Sequence, residues 1–152
     1  MLVSKTTQEL EVYMNELYEK LKPLAESMGV YKPLNIHFEK VPPVNFEGEF
    51  CYTDEKGYHY GGISDRGEIL RDNTTYSLFE VSYWAMSGVV GTIASEFERK
   101  NRVPEQDIRR ILFDKKLELL AVLGENYRKR GEIDIDEILK IAPYQDHLFL
   151  TL

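Results

Sequence analysis

Residues 57 to 68 read GYHYGGISDRGE, setting a histidine between two tyrosines and an Asp-Arg pair a few positions further on. His59, Asp65 and Arg66 are residue types that a small hydrolase or transferase could use, since imidazole is the side chain that most readily gains and loses a proton near neutrality. Cys51 offers a second chemistry, because a thiol beside the His59 imidazole makes a nucleophilic pair. If residues 51 and 59 lie on adjacent strands of a hairpin, the two could share a face. Flanked by Phe50 and Tyr52, however, Cys51 is more simply a small buried hydrophobe. Asp65 and Glu68 could form an acid/base couple, but at a turn they need only bond nearby amides. The three histidines, His37, His59 and His147, share no i, i+4 spacing, and no Cys-x-x-Cys is present, so no metal and no cofactor is expected. Strand-borne His37 and His59 are expected as packed or hydrogen-bonded residues. No Gly-x-Ser-x-Gly elbow, Walker loop or dinucleotide fingerprint occurs.

The glycines of the same stretch have a simpler use. A phosphate-cradling loop needs a helix starting just after it, with its amides aimed at the anion. Here Glu68-Ile69-Leu70-Arg71 continues as a strand. Gly57 and Gly67 are therefore expected as turn glycines, and Gly61-Gly62 as a bulge or a close approach by another element.

Around this stretch the spacing predicts a helix over 6–28, from Leu10, Tyr13, Met14, Leu17, Leu21 and Leu24, stopped by Gly29. A strand over 34–40 follows, with Leu34, Ile36 and Phe38 alternating against polar residues and Pro42-Pro43 ending it. Residues 49–72 read as three short strands. Ser77 and Glu80 match a capping box opening a helix to about Lys100 that is apolar on most sides. Its small residues Ala85, Gly88, Gly91 and Ser95 are expected to admit a neighbouring helix closely. A third helix is expected from Pro104 to about Arg130, stopping at Gly131 and pairing antiparallel with the second. A short helix over 134–142 and a docked HLFLTL end complete the chain. The expectation is one α+β domain over 1–152, a small antiparallel sheet of three to four strands beside a helical core with a long antiparallel helix pair.

Arg109 and Arg110 are adjacent, so they cannot share a helix face, and one must turn inward. An inward arginine requires a carboxylate, and Glu96 and Glu98 are the expected partners in an internal ion pair.

The 26 acidic and 19 basic residues give a net charge of -7. That excludes nucleic acid as a favoured partner, because phosphate binding relies on basic patches. It suits solubility and a basic protein partner. One cysteine among 152 residues fits a reducing compartment, no apolar run is long enough for a membrane span, and the opening MLVSKTTQELEV turns polar too early for a secretory signal. The expected location is cytoplasmic.

An ordered set of motifs adds a family resemblance. Tyr58-His59-Tyr60, Asp65-Arg66-Gly67-Glu68, Thr74-Thr75, Tyr83-Trp84 and Phe97-Glu98 come first. Asp107-x-Arg109-Arg110, Phe113 and Leu117-Glu118-Leu119-Leu120 follow. In this order, over about residues 57 to 130, they resemble the immunity protein 63 family of bacterial polymorphic toxin systems. The resemblance implies a small cytoplasmic protein of bacterial competition, without a catalytic centre, that protects its producer by binding a cognate toxin and occluding its active cleft. Tyr52, Tyr58, Tyr60 and Tyr76 are the expected aromatic anchors, with Asp54, Glu55, Asp65 and Glu68 as charge complement. The alternatives are the hydrolase or transferase built on His59, Asp65 and Arg66, and a regulatory protein-binding domain.

Overall fold

A computed structural model describes residues 3–30, 33–40 and 46–149. The chain is α+β: helices α1 (Thr7–Ser27), α2 (Leu78–Lys100), α3 (Arg109–Leu123) and α4 (Glu125–Ile141), strands β1 (Ile36–His37), β2 (Gly48–Asp54), β3 (Gly57–Ile63) and β4 (Ile69–Thr75), and a final 3-10 turn at Asp146–Phe149. It groups into two compact units. One holds Met1–Tyr18 and Pro33–Met86, the other Glu19–Lys32 and Ser87–Leu152.

In the first unit the sheet runs β1-β2-β3-β4, with β1 parallel to β2 and the remaining neighbours antiparallel. The sheet is therefore mixed, not wholly antiparallel as expected, and the strand expected over 34–40 pairs only at Ile36 and His37. Its expected stop, Pro42-Pro43, lies outside the described residues. Cys51 stands opposite Tyr60, and Tyr52 opposite His59. Side chains alternate faces along a strand, so Cys51, Tyr58 and Tyr60 share one face, and Tyr52, Asp54, His59, Asp72 and Thr74 the other. The tyrosine face is the inner one: the Tyr58 hydroxyl accepts the Ser4 and Lys5 amides at 3.2 and 3.1 Å. Thr6 and Glu9 open α1 with a reciprocal capping box, and Leu10, Met14 and Leu17 on its buried stripe join Cys51, Tyr58, Tyr60 and Val81 in the core.

The glycines of β3 and its turns behave as their spacing implies. Gly57 and Gly67 have φ of 124° and 80°. Pairing with β4 slips at Gly62/Ile63, a bulge that makes Leu70 the extra residue. At Gly61, a Cβ would stand 2.0 Å from the Arg71 carbonyl oxygen and 2.6 Å from the Phe50 ring.

In the second unit the helix boundaries differ from expectation. Pro104 lies in a turn and α3 starts only at Arg109, because the Asp107 carboxylate takes the Arg109 amide at 3.0 Å. The helix expected to run to Arg130 breaks at Gly124, whose φ of 148° and ψ of 161° suit only glycine. The short helix expected over 134–142 is the end of α4. Gly131, the expected stop, sits buried inside α4, where a Cβ would lie 2.4 Å from Leu120 Cδ1 and 3.3 Å from Leu117 Cδ2. The packed antiparallel pair is thus α3 with α4, not α2 with α3. The small-residue strip of α2 is not filled by a helix. A Cβ at Gly91 would touch nothing within 4 Å, and Gly88, Gly91 and Ser95 floor an open groove walled by Leu112 and Lys116. Of the expected docked end, His147 to Phe149 form the 3-10 turn and the last three residues lie outside the described ones.

Gly61→Ala is expected to destabilise the protein by about 3 kcal/mol, since a backbone carbonyl cannot move out of the way as a side chain can. Gly91→Ala is expected to stabilise it by up to ~1 kcal/mol through helix propensity alone. Urea unfolding of the two variants against the parent checks both signs.

Candidate functional site

The outer face of the sheet in the first unit carries the groups that could do chemistry. His59 is 4% exposed. Its Nε2 lies 2.7 Å from Asp54 Oδ1, and its Nδ1 lies 2.9 Å from Asp72 Oδ1 and 3.3 Å from Thr74 Oγ1. Tyr52 stacks on the imidazole, ring centroids 4.3 Å apart and planes within 7°. The register explains the cluster. A two-residue turn at Glu55-Lys56 pairs Tyr52 with His59 and puts Asp54 on the diagonal, while β4 brings Thr74 alongside.

Electrostatics follow from this packing. Burial opposes ionisation of Asp54, but the His59 hydrogen bond, the Lys56 amide and the charges of His59 and Lys40 outweigh it and hold the carboxyl below its usual range. Desolvation, with the charges of Asp72, Asp54 and Glu55, pushes the Tyr52 hydroxyl up to about 12. Carboxylates only accept, so both contacts to His59 are hydrogen bonds together only when both ring nitrogens carry hydrogen.

Asp65 and Arg66 do not join it. They are exposed in the turn after β3, six and seven residues beyond His59, or about 20 Å along an extended chain. Cys51 and His59 form no pair, because the two side chains stand on opposite faces of the sheet, and Cys51 is the buried hydrophobe its neighbours imply. Desolvation pushes the Cys51 thiol up to about 12. His37 packs its ring on Phe46, centroids 4.7 Å apart. Among the described residues no group of three His, Cys, Asp or Glu side chains could hold a metal ion.

The expected anchors divide. Tyr58 and Tyr60 are 1% and 3% exposed, so neither can meet a partner; they fill the inner face of the central strand. Tyr52 is covered too, and Asp54 is engaged by His59. Glu55, Asp65, Glu68 and Tyr76 are exposed, and the last three bracket β4. Six of the seven β4 residues are exposed, Ile69 and Leu70 by two thirds. This surface was not singled out in the sequence. Its only signals are the paired apolar residues Ile69-Leu70 and a polar run without alternation.

The arginines of the second unit find other partners than expected. Arg109 grips Asp107 through Nε at 3.1 Å and an Nη at 2.8 Å, and donates to the carbonyls of Ala142 and Pro143 at 2.8 and 2.9 Å. Arg110 forks onto Asp146, with both arginines over the Tyr144 ring. Asp107 is 1% exposed and also accepts the Gln145 amide. Glu96 pairs instead with Arg99, and Glu98 with Arg102, each within its own helix or just past its end. A carboxylate two residues away on the loop reaches Arg109 without any help from α2. This knot fastens residues 142–146 to the start of α3.

No helix among the described residues is long and apolar enough to cross a membrane. Residues 54–137, more than half of the chain, match the family described as Immunity protein 63, and the chain belongs to that family. The match starts at Asp54 and takes in β3, β4, α2, α3 and most of α4. No curated protein and no solved structure matches the chain.

Two outcomes are expected. Cys51 should resist maleimide in the native protein and react fully once unfolded, as thiol titration with and without denaturant would reveal. Asp107→Asn should cost about 2 kcal/mol at neutral pH, the usual worth of hydrogen bonds to a charged group. The Arg109 hydrogen bonds depress the Asp107 carboxyl far below its usual value, despite opposing burial. Its stabilisation is therefore complete above the unfolded value near 4 and drains away as pH falls through the lower, folded one. The gap between parent and variant should stay constant above about pH 5 and narrow below about pH 4, read from denaturation midpoints across pH.

Proposed function

We propose that this chain is an immunity protein that neutralises a cognate bacterial toxin by binding it in a defined stoichiometry and covering its active site, inside the cell that makes both. The observation that carries this is membership of the Immunity protein 63 family. The chemistry of the chain supports it. The imidazole is tied up on both nitrogens, the thiol is withdrawn to the opposite face, and Asp65 and Arg66 stand apart from both. Such groups favour a role without turnover. The net charge of -7 and the exposed Glu55, Asp65 and Glu68 favour a basic toxin surface, drawn in by long-range attraction. Binding by a rigid surface needs little more than a standard interface of about 800 Å² per partner.

Co-expression with the toxin encoded by the neighbouring reading frame tests the proposal. Growth should be restored and the two proteins should copurify in a fixed ratio. Continued arrest without copurification would refute it. Changing Glu55, Asp65 and Glu68 together to glutamine should slow association about tenfold and flatten its dependence on salt, leaving dissociation nearly unchanged, because long-range charge acts mainly on encounter. Stopped-flow or biosensor kinetics at two ionic strengths would measure this.

A further inference from the structure

We infer that β4 is the seat of the toxin, and that an extended segment of the toxin adds to its free edge as a fifth strand. This rests on the toxin-binding function proposed above and names the surface that performs it. β4 is the outermost strand, paired only with β3, and among the described residues its backbone makes no hydrogen bond on the opposite side. Edge strands left bare in this way are a hazard that proteins usually blunt with proline, lysine, brevity or a covering element. β4 is only lightly blunted: ILRDNTT carries Arg71, Asp72 and the bulge at Leu70, but it is seven residues long, contains neither proline nor lysine, and is exposed over six of its residues. By contrast, β1 at the other edge pairs over only two residues.

The strand is also held ready. Its pairing with β3 is regular from Arg71 to Thr75, and the His59–Asp72 and His59–Thr74 contacts pin its outer face. A partner strand would thus meet a preformed template and lose little entropy beyond its own ordering. Main-chain hydrogen bonds supply affinity in such strand addition, and flanking side chains supply specificity. Ile69 and Leu70 at 67% and 68% exposure, with Tyr76 at 55%, offer apolar purchase at the two ends. The occupant is a basic segment rather than a second copy of this chain. Two chains of net charge -7 repel each other, whereas a cationic strand meets Asp65, Glu68 and Asp72 around the edge, which outnumber Arg66 and Arg71 there.

The test uses the full chain with the toxin encoded beside it, inactivated at its catalytic residue. Amide exchange over 69–75 should slow at least tenfold when that toxin is added. The double variant Ile69→Asn/Leu70→Asn should keep its melting temperature, as both side chains are exposed, yet bind at least tenfold more weakly. If the toxin binds but exchange over 69–75 and the affinity of the variant are unchanged, the β4 edge is overturned while toxin binding stands. If the toxin does not bind at all, both fall. If protection of 69–75 rises with protein concentration in the absence of toxin, the edge pairs with another copy and the inference is overturned.

Discussion

The central strand imposes the governing constraint on the sheet. β3 is covered on both faces, and on one of them it carries an imidazole that cannot be hidden without partners. Asp54 and Asp72 meet that need from the two neighbouring strands, so a single buried ring ties β2, β3 and β4 together at a defined register. A slip of one residue would turn His59 into the tyrosine core and expose Tyr58 and Tyr60. The same enclosure leaves the imidazole almost wholly covered.

The second unit solves a similar problem, again by setting a carboxylate against a nitrogen donor group. Arg109 is half-enclosed, and four of its five N–H donors are answered by one carboxylate and two carbonyls that no helix or sheet ladder uses. Those carbonyls belong to the residues just past α4, so the end of that helix is bound to the beginning of α3. Together with the single-residue break at Gly124, this fixes both ends of the α3–α4 pair. Stacking of Arg109 and Arg110 on Tyr144 adds cation–π attraction to the same knot.

Much of this order was legible in residue patterns. Period-two and period-3.6 spacing located α1, α2 and the three long strands, and the turn glycines identified the hairpins. Helix breaks were less visible: Gly124 and Gly131 look alike in sequence, yet one ends a helix and the other lets two helices touch. Which role each takes depends on what stands opposite, here Leu117 and Leu120, and a single sequence does not carry that. The carboxylate partners of His59 follow the same logic. Asp54 is implied once the turn at Glu55-Lys56 sets the hairpin register, but Asp72 is reached only across a bulge. For Arg109, a partner two residues away prevailed over one on the neighbouring helix, because a short loop can fold back where a helix surface cannot.

Gly131 and Leu120 occupy a space that admits only one substantial side chain. Bulk gained at this point of α4 has to displace the ends of Leu120 and Leu117, so a larger residue there is accommodated most readily when the facing position of α3 is smaller.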